Sequence, residues 1–249
     1  MKMDSHAAFL TTQWSLIDAI QTGRPESAVA MNRLAEIYLP AVYSFLRRNG
    51  HPPHAAEDLA QDFFDKVVLG RLLFHNADST KGSLRSLILK ALKNFVIDTV
   101  RRRNARGVKR TVSLDAMERA DSMLGAEADP GDAFNRQIAG AQLELAIDRC
   151  REHFAASGLI NHWRLYEVRV LHPATRGASA PALKDCFGEF GFSQARDAAA
   201  AVQTVKRALI ALFRVVVAES MPPNTPEEEI EAEYQCALAA LRLGGGAHG

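Results

Sequence analysis

Cysteine, aromatic residues and net charge are all scarce in this sequence, and each scarcity excludes a class of protein. The 249 residues include 3 cysteines, an odd number at wide spacing that fits neither a disulfide framework nor a zinc site. Aromatic residues make up 7% of the chain and alternating β-branched runs are lacking, which argues against a β-sheet protein. The net charge is +1, so the chain as a whole is not a polycation.

Long apolar runs and enzymatic motifs are lacking as well. No stretch approaches the about 18 apolar residues that span a bilayer, and MKMDSHAAFLTTQW at the start has no signal-peptide pattern. We therefore predict a cytoplasmic protein with no membrane partner. The sequence contains no phosphate-binding loop, dinucleotide fingerprint, nucleophile elbow or zinc-protease helix, and its 8 histidines are scattered. We predict a protein that is not an enzyme and that needs no metal or cofactor.

Apolar residues at helical spacing predict an all-α protein with two small helical domains joined by a linker. In the second domain, a short apolar helix, a stop at Gly191 and a cap at Ser193 precede a longer helix, which is the layout of a helix-turn-helix. The predicted parts are an N-terminal extension (1–26), a first domain (27–110), a linker (111–131), a second domain (132–221) and an acidic C-terminal helix with its tail (222–249).

Charge is concentrated in two neighbouring segments of opposite sign. The segment EDLAQDFFD (57–65) predicts a helix with an acidic face, whereas KNFVIDTVRRRNARGVKR (93–110) carries seven Lys or Arg against one acid. A solvated helix end explains one or two cations, but six among residues 101–110 repel one another unless a polyanion offsets them. We therefore predict one partner that is a basic protein surface and another that is a nucleic acid, with Lys90, Lys93 and Asn94 placed to contact bases.

Two motifs within residues 27–110 carry a resemblance to a known family. AEDLAQDFF (56–64) and KNFVIDTVRRR (93–103) occur in an order and at a spacing similar to region 2 of bacterial sigma factors of the extracytoplasmic-function (ECF) type. The resemblance implies an all-α specificity subunit that binds core RNA polymerase and directs it to promoter DNA. It implies that the acidic helix contacts polymerase through Glu57, Asp58, Gln61, Asp62, Phe64 and Asp65. Phe64 is expected to be partly exposed, because two adjacent phenylalanines on a helix do not face one core equally.

The same resemblance implies that a loop and the basic helix hold the opened minus-ten promoter element. The residues concerned are Phe74, Asn76, Lys81, Arg85, Lys90, Lys93, Asn94, Arg101, Arg102, Arg103 and Arg106. Strand opening exposes bases that a loop can capture, while cations hold the phosphate backbone.

The second domain resembles region 4, the helix-turn-helix that reads the minus-thirty-five element in such proteins. The candidate contacts are Ser193, Gln194, Arg196, Gln203, Thr204, Lys206 and Arg207. The segment after Ser193 is longer than is usual in the family, and it contains a run of four alanines (198–201) that offer few polar contacts to bases.

Two other functions stay open at this point. A helix-turn-helix regulator would bind duplex DNA without polymerase, and a helical protein-interaction module would bind no nucleic acid. An anti-sigma factor is a candidate partner, and regulation through the N-terminal extension or the C-terminal helix is the alternative to it.

Overall fold

The computed structural model describes residues 13–23, 25–69, 73–74, 82–105, 129–176 and 179–242. Within these ranges the secondary structure is helical and no strand occurs, so the predicted all-α class is confirmed. The helices are α1 (Gln13–Gln21), α2 (Ser27–Arg48), α3 (Pro53–Phe63), α4 (Leu84–Ala105), α5 (Pro130–Ala156), α6 (Ile160–Tyr166), α7 (His172–Arg176), α8 (Leu183–Cys186), α9 (Ala195–Glu219) and α10 (Glu227–Arg242).

Wider and tighter helical turns extend three of these helices. A π-helical stretch, Phe64–Leu69, continues α3, and a second, Glu167–Leu171, joins α6 to α7. A 3₁₀ turn, Phe187–Phe190, continues α8 up to the turn before α9. Such turns change the number of residues per turn, and therefore they change which side chains face the core.

The chain divides into two compact units. Unit 1 consists of residues 1–141 and 217–249, and unit 2 consists of residues 142–216. Helices α5 and α9 each begin in one unit and end in the other. The domain boundaries expected from the sequence stay a prediction, and most of the expected linker lies outside the described residues.

The core of unit 1 combines α1 to α4 with the first turns of α5. Helix α2 contributes one stripe at spacings of three and four residues, from Leu34 to Leu46, as an amphipathic helix should. The stripe packs with Trp14 and Ile17 of α1, which makes part of the N-terminal extension a component of this core. Phe134 of α5 is fully buried in the same cluster.

One apolar cluster of unit 2 lies beneath the turn between α8 and α9. Leu165 of α6 and Ala198 of α9 are fully buried there. They pack against partly buried apolar side chains of the turn region, namely Leu183, Phe187, Phe190, Phe192 and Val202. Gly191 adopts φ +79° at the turn, a left-handed conformation that an L side chain would make strained.

Candidate functional site

Helix α3 separates an apolar face from an acidic one. Leu59, Ala60 and Phe63 are buried, whereas Glu57, Asp58, Gln61 and Asp65 are exposed and Asp62 is half-buried. The structure therefore brings five of the six expected polymerase-contacting residues onto the solvent side, four on α3 and Asp65 on the π-helical stretch that continues it.

One acidic charge is paired along the helix itself. Lys66 Nζ lies 2.5 Å from Asp62 Oδ2. Both side chains are in contact with solvent, so this pair contributes little to stability and opens at little cost. Asp58 and Asp65 remain exposed anions that a basic protein surface can pair.

The expectation that Phe64 is partly exposed is wrong. Phe64 is 8% exposed, and its ring makes an edge contact with Phe63 at a centroid distance of 5.7 Å. The reason is the spacing of the apolar side chains. Ala60, Phe63, Phe64, Val67 and Val68 stand at i, i+3, i+4, i+7 and i+8, and a helical stripe of that width includes both phenylalanines. The inference from two adjacent positions overlooked this spacing.

Helix α4 presents to solvent a face that carries four cations, which we call the basic face, with the exposed Ile97 near its centre. Its exposed residues recur every three or four positions and are Ser86, Lys90, Lys93, Asn94, Ile97 and Arg101, with Arg102 also exposed at the end. The opposite side, through Leu84, Ile88 and Leu92, is fully buried. From Lys90 to Arg101 the helix rises roughly 16 Å, which is enough to follow several phosphates of one strand.

Two of the expected minus-ten residues that the structure describes, Phe74 and Arg85, do not lie on this face. Phe74 is fully buried, and its carbonyl accepts a hydrogen bond from Gln21 Nε2 at 3.0 Å. In this structure Phe74 is thus a core residue and its side chain does not reach solvent. Asn76, Lys81, Arg106 and the side chain of Arg103 lie outside the described residues.

Arg85 is directed away from the basic face. At 100° per residue it lies about 130° around the helix from the centre of that face and close to the buried stripe. Its Nε and Nη2 donate to Glu233 Oε1 and Oε2 at 2.6 and 2.8 Å, and its Nη1 donates to Asn135 Oδ1 at 2.5 Å. The Arg85 and Glu233 side chains are 16% and 13% exposed, so this is a largely buried bidentate ion pair.

Burial and the ion pair have opposite effects on the acidity of Arg85. Burial by itself lowers the pKa of the guanidinium, but the hydrogen bonds and charge of Glu233 outweigh it, so the pKa is raised. Tyr38 lies beside this pair, and its burial raises the pKa of its phenol. The Tyr38 hydroxyl donates a hydrogen bond to Gln13 Oε1 at 2.7 Å. Arg85 is therefore charged and fully engaged inside the protein. Glu233 is 148 residues away in sequence, and no local pattern announces the pairing.

In unit 2, the polar residues expected to read DNA are all exposed. They are Ser193, Gln194, Arg196, Gln203, Thr204, Lys206 and Arg207. Arg196, Gln203 and Arg207 share one face of α9, because they are seven and four residues apart.

The alanine run of α9 has a packing role in part. Ala198 and Ala201 are buried, with 0% and 2% exposure, whereas Ala199 and Ala200 lie on the outer side. Small side chains at the buried positions allow α9 to approach the rest of unit 2 closely. The polar face of α9 thus has a gap between Arg196 and Gln203, formed by the two exposed alanines.

Two specific features are absent from the described residues, a metal-binding group and a membrane-spanning helix. They contain no group of three or more His, Cys, Asp or Glu that could hold a metal ion. Among the same ranges, no helix has both the length and the apolar character needed to cross a bilayer.

Comparison with known proteins places a family match on the segment that carries both charged faces. Residues 34–106 match the family model of Sigma-70 region 2, which begins within α2 and includes α3 and α4. This segment is therefore similar to region 2 of sigma-70 family sigma factors, and the match supports such a factor acting in transcription initiation. No curated protein and no solved structure matched the chain.

Proposed function

We propose that this protein is a sigma factor of the ECF type that binds core RNA polymerase and directs promoter recognition and opening. The observation that carries the proposal is a coincidence of two findings. The segment that matches Sigma-70 region 2 is also the segment whose two solvent-facing helix surfaces have opposite charge. Opposite charges on adjacent helices suit two different partners, one a basic protein surface and the other a nucleic acid.

Polymerase binding is assigned to the acidic face of α3. Glu57, Asp58, Gln61, Asp62 and Asp65 would contact a basic surface of the core enzyme. Phe64 is left out because it is buried, and its contribution would be to hold α3 in place.

Promoter melting is assigned to the basic face of α4. Lys90, Lys93 and Asn94 would meet unstacked bases and the adjacent backbone, while Arg101 and Arg102 would neutralise phosphates. Stabilising the separated strands in this way favours the open promoter without any covalent chemistry. Asn76, Lys81, Arg103 and Arg106 stay candidates for the same surface, on sequence grounds.

Duplex recognition is assigned to unit 2. The face of α9 with Arg196, Gln203 and Arg207 would enter a major groove, where Arg and Gln pair with purine edges. Ser193, Gln194, Thr204 and Lys206 flank this face and would contact phosphates. The exposed Ala199 and Ala200 limit the number of base contacts, so we propose modest specificity from this unit.

The direct test is assembly of a holoenzyme. The full chain is mixed with bacterial core RNA polymerase at low micromolar concentration, and the mixture is analysed by size-exclusion chromatography. Co-elution is expected, and Asp58→Lys should weaken it roughly tenfold or more because a like charge then faces the polymerase. Glu228→Lys, an exposed acid on α10, is the matched control and should bind like the wild type.

Promoter opening is measured on the assembled holoenzyme by permanganate reactivity of unpaired thymines. Elution of the full chain apart from core polymerase at this concentration would contradict the proposal. If the full chain then bound duplex DNA sequence-specifically, the exposed face of α9 would favour the alternative, a regulator that acts without polymerase. Failure to bind either polymerase or DNA at low salt would leave a protein-interaction module.

A further inference from the structure

A polar cluster inside unit 1 joins three segments that are far apart in sequence. Arg85 of α4 contacts Glu233 through two charged hydrogen bonds of 2.6 and 2.8 Å and Asn135 through one of 2.5 Å. Its Nη2 also lies 3.6 Å from Cys236 Sγ. We call these four residues the Arg85 cluster.

The cluster fixes helix α10 to the segment that matches Sigma-70 region 2. Glu233 and Cys236 are three residues apart on α10 and therefore lie on one helix face. Tyr234, Ala237 and Ala240, on the neighbouring face, are buried as well. A planar guanidinium held by a carboxylate through two bonds and by an amide through a third has a defined orientation, so the contact sets how α10 lies on α4.

The beginning of α5 belongs to the same structural unit. Phe134 and Ile138 are 0% and 3% exposed in the core formed by α1 to α4. The Tyr38 and Phe134 rings stack at a centroid distance of 6.4 Å. Asn135, one residue after Phe134, supplies the third hydrogen bond of the Arg85 cluster. The core and the cluster therefore hold the same turn of α5.

We propose that the region 2-like domain is completed by two later segments, the first turns of α5 and helix α10, with Arg85 as the residue that docks Glu233. Residues 142–216 are then an insertion whose two ends both continue into this domain. In this arrangement Arg85 serves intramolecular docking and does not contact promoter phosphates.

The connection of residues 142–216 to the region 2-like domain at both ends has a consequence that rests on the proposed function. A segment connected at one end explores a volume set by its linker, whereas a segment connected at both ends explores a smaller volume. The holoenzyme should therefore accept a narrow range of spacings between its two promoter elements. Loss of the Arg85–Glu233 pair should widen that range.

The docking is tested by cutting the full-length chain within residues 111–128. A protease site is inserted between residues 118 and 119, the folded protein is cleaved, and the pieces are analysed by size-exclusion chromatography. We expect the two pieces to co-elute at a concentration of about 10 μM. Glu233→Gln should weaken their association roughly tenfold and Glu233→Ala roughly a hundredfold, because each leaves the buried guanidinium less well paired.

Glu228→Ala is the matched control, since it removes an exposed acid from the same helix and should leave the association unchanged. Separation of the wild-type pieces at about 10 μM would overturn the inference. So would equal effects of Glu233→Ala and Glu228→Ala. Should Glu233→Ala fail to fold, the wild-type cleavage and Glu233→Gln still decide the matter.

This result is independent of transcription. If the two pieces co-elute but the uncut chain does not bind polymerase, the proposed function is contradicted and the docking is supported. Pieces that separate while the uncut chain forms a holoenzyme would contradict the docking alone. Run-off transcription across a series of promoter spacer lengths then checks the tether, and an unchanged spacer range in Glu233→Gln would refute that consequence.

Discussion

Salt dependence of DNA binding is the measurement that separates the exposed cations of α4 from the buried one. Lys90, Lys93 and Arg101 lie on one exposed face, whereas Arg85 is paired with Glu233 at 2.6 Å inside unit 1. Each phosphate contact contributes about 0.7 to the slope of log affinity against log salt for single strands and about 0.9 for duplex DNA. The triple change of Lys90, Lys93 and Arg101 to Ala should therefore lower the slope by about 2 to 3.

This slope change has a large effect on affinity. Between about 50 and 200 mM salt, the ratio of wild-type to variant affinity should shrink roughly 20- to 40-fold, because the wild type loses more counterion-driven binding. Fluorescence anisotropy of a labelled promoter fork, titrated with holoenzyme at four salt concentrations, measures this. The same titration with the isolated full-length chain removes the contribution of the polymerase.

Two single substitutions serve as controls for that slope. Arg48→Ala removes an exposed cation from the end of α2 and should leave the slope unchanged. Arg85→Ala should also leave it within about 0.3, because a buried, paired guanidinium displaces no counterion from DNA. An unchanged slope in the triple variant would show that the basic face is only a solvated helix surface. If Arg85→Ala lowered the slope as much as Lys93→Ala does, Arg85 would have to contact DNA.

Three further predictions concern stability, measured as the free energy of unfolding in urea. Phe63→Ala should lower the free energy of unfolding by about 3–5 kcal/mol because a fully buried ring is lost. Val29→Ala, at a side chain that is 53% exposed, should lower it little, and equal effects of the two variants would contradict the packing. Gly191→Ala should cost about 1–2 kcal/mol through its positive φ, while Gly188→Ala, in open space, should not destabilise. Burial raises the pKa of Cys150 from 9.0 to about 11, so the stability it contributes is complete below pH 9 and is lost as pH rises through 11. Cys150→Ala should flatten that alkaline decline, and identical pH profiles would refute it.

Much of the local structure follows from sequence spacing. The apolar stripe of α2, the acidic face of α3 and the basic face of α4 are each visible as side chains three or four residues apart. Lys90, Lys93 and Asn94 were expected on the exposed side of their helix, and the structure places them there. Periodicity succeeds at these positions because one helix with one core is a local problem.

Phe64 shows a local rule applied too narrowly. Its exposure was inferred from the adjacent Phe63, but an apolar stripe on a helix is wide enough to include both positions together with Ala60, Val67 and Val68. Phe63 makes an edge contact with Phe95 of α4 at a centroid distance of 5.6 Å. The burial of Phe64 therefore agrees with sequence spacing, whereas the side chains that cover the stripe are decided by tertiary packing.

The amino-acid sequence by itself determined the all-α class, the helix faces and the segregation of acidic from basic charge, since these depend on residues within a few turns of one another. Helical spacing already sets Arg85 about 130° away from the basic face, but only the tertiary structure decided its role, because that role depends on the residues folded against it. Its partner Glu233 is 148 residues away, and Asn135 is 50. A charge becomes a docking residue or a DNA contact according to what is folded against it, and sequence periodicity carries no information about contacts at that separation.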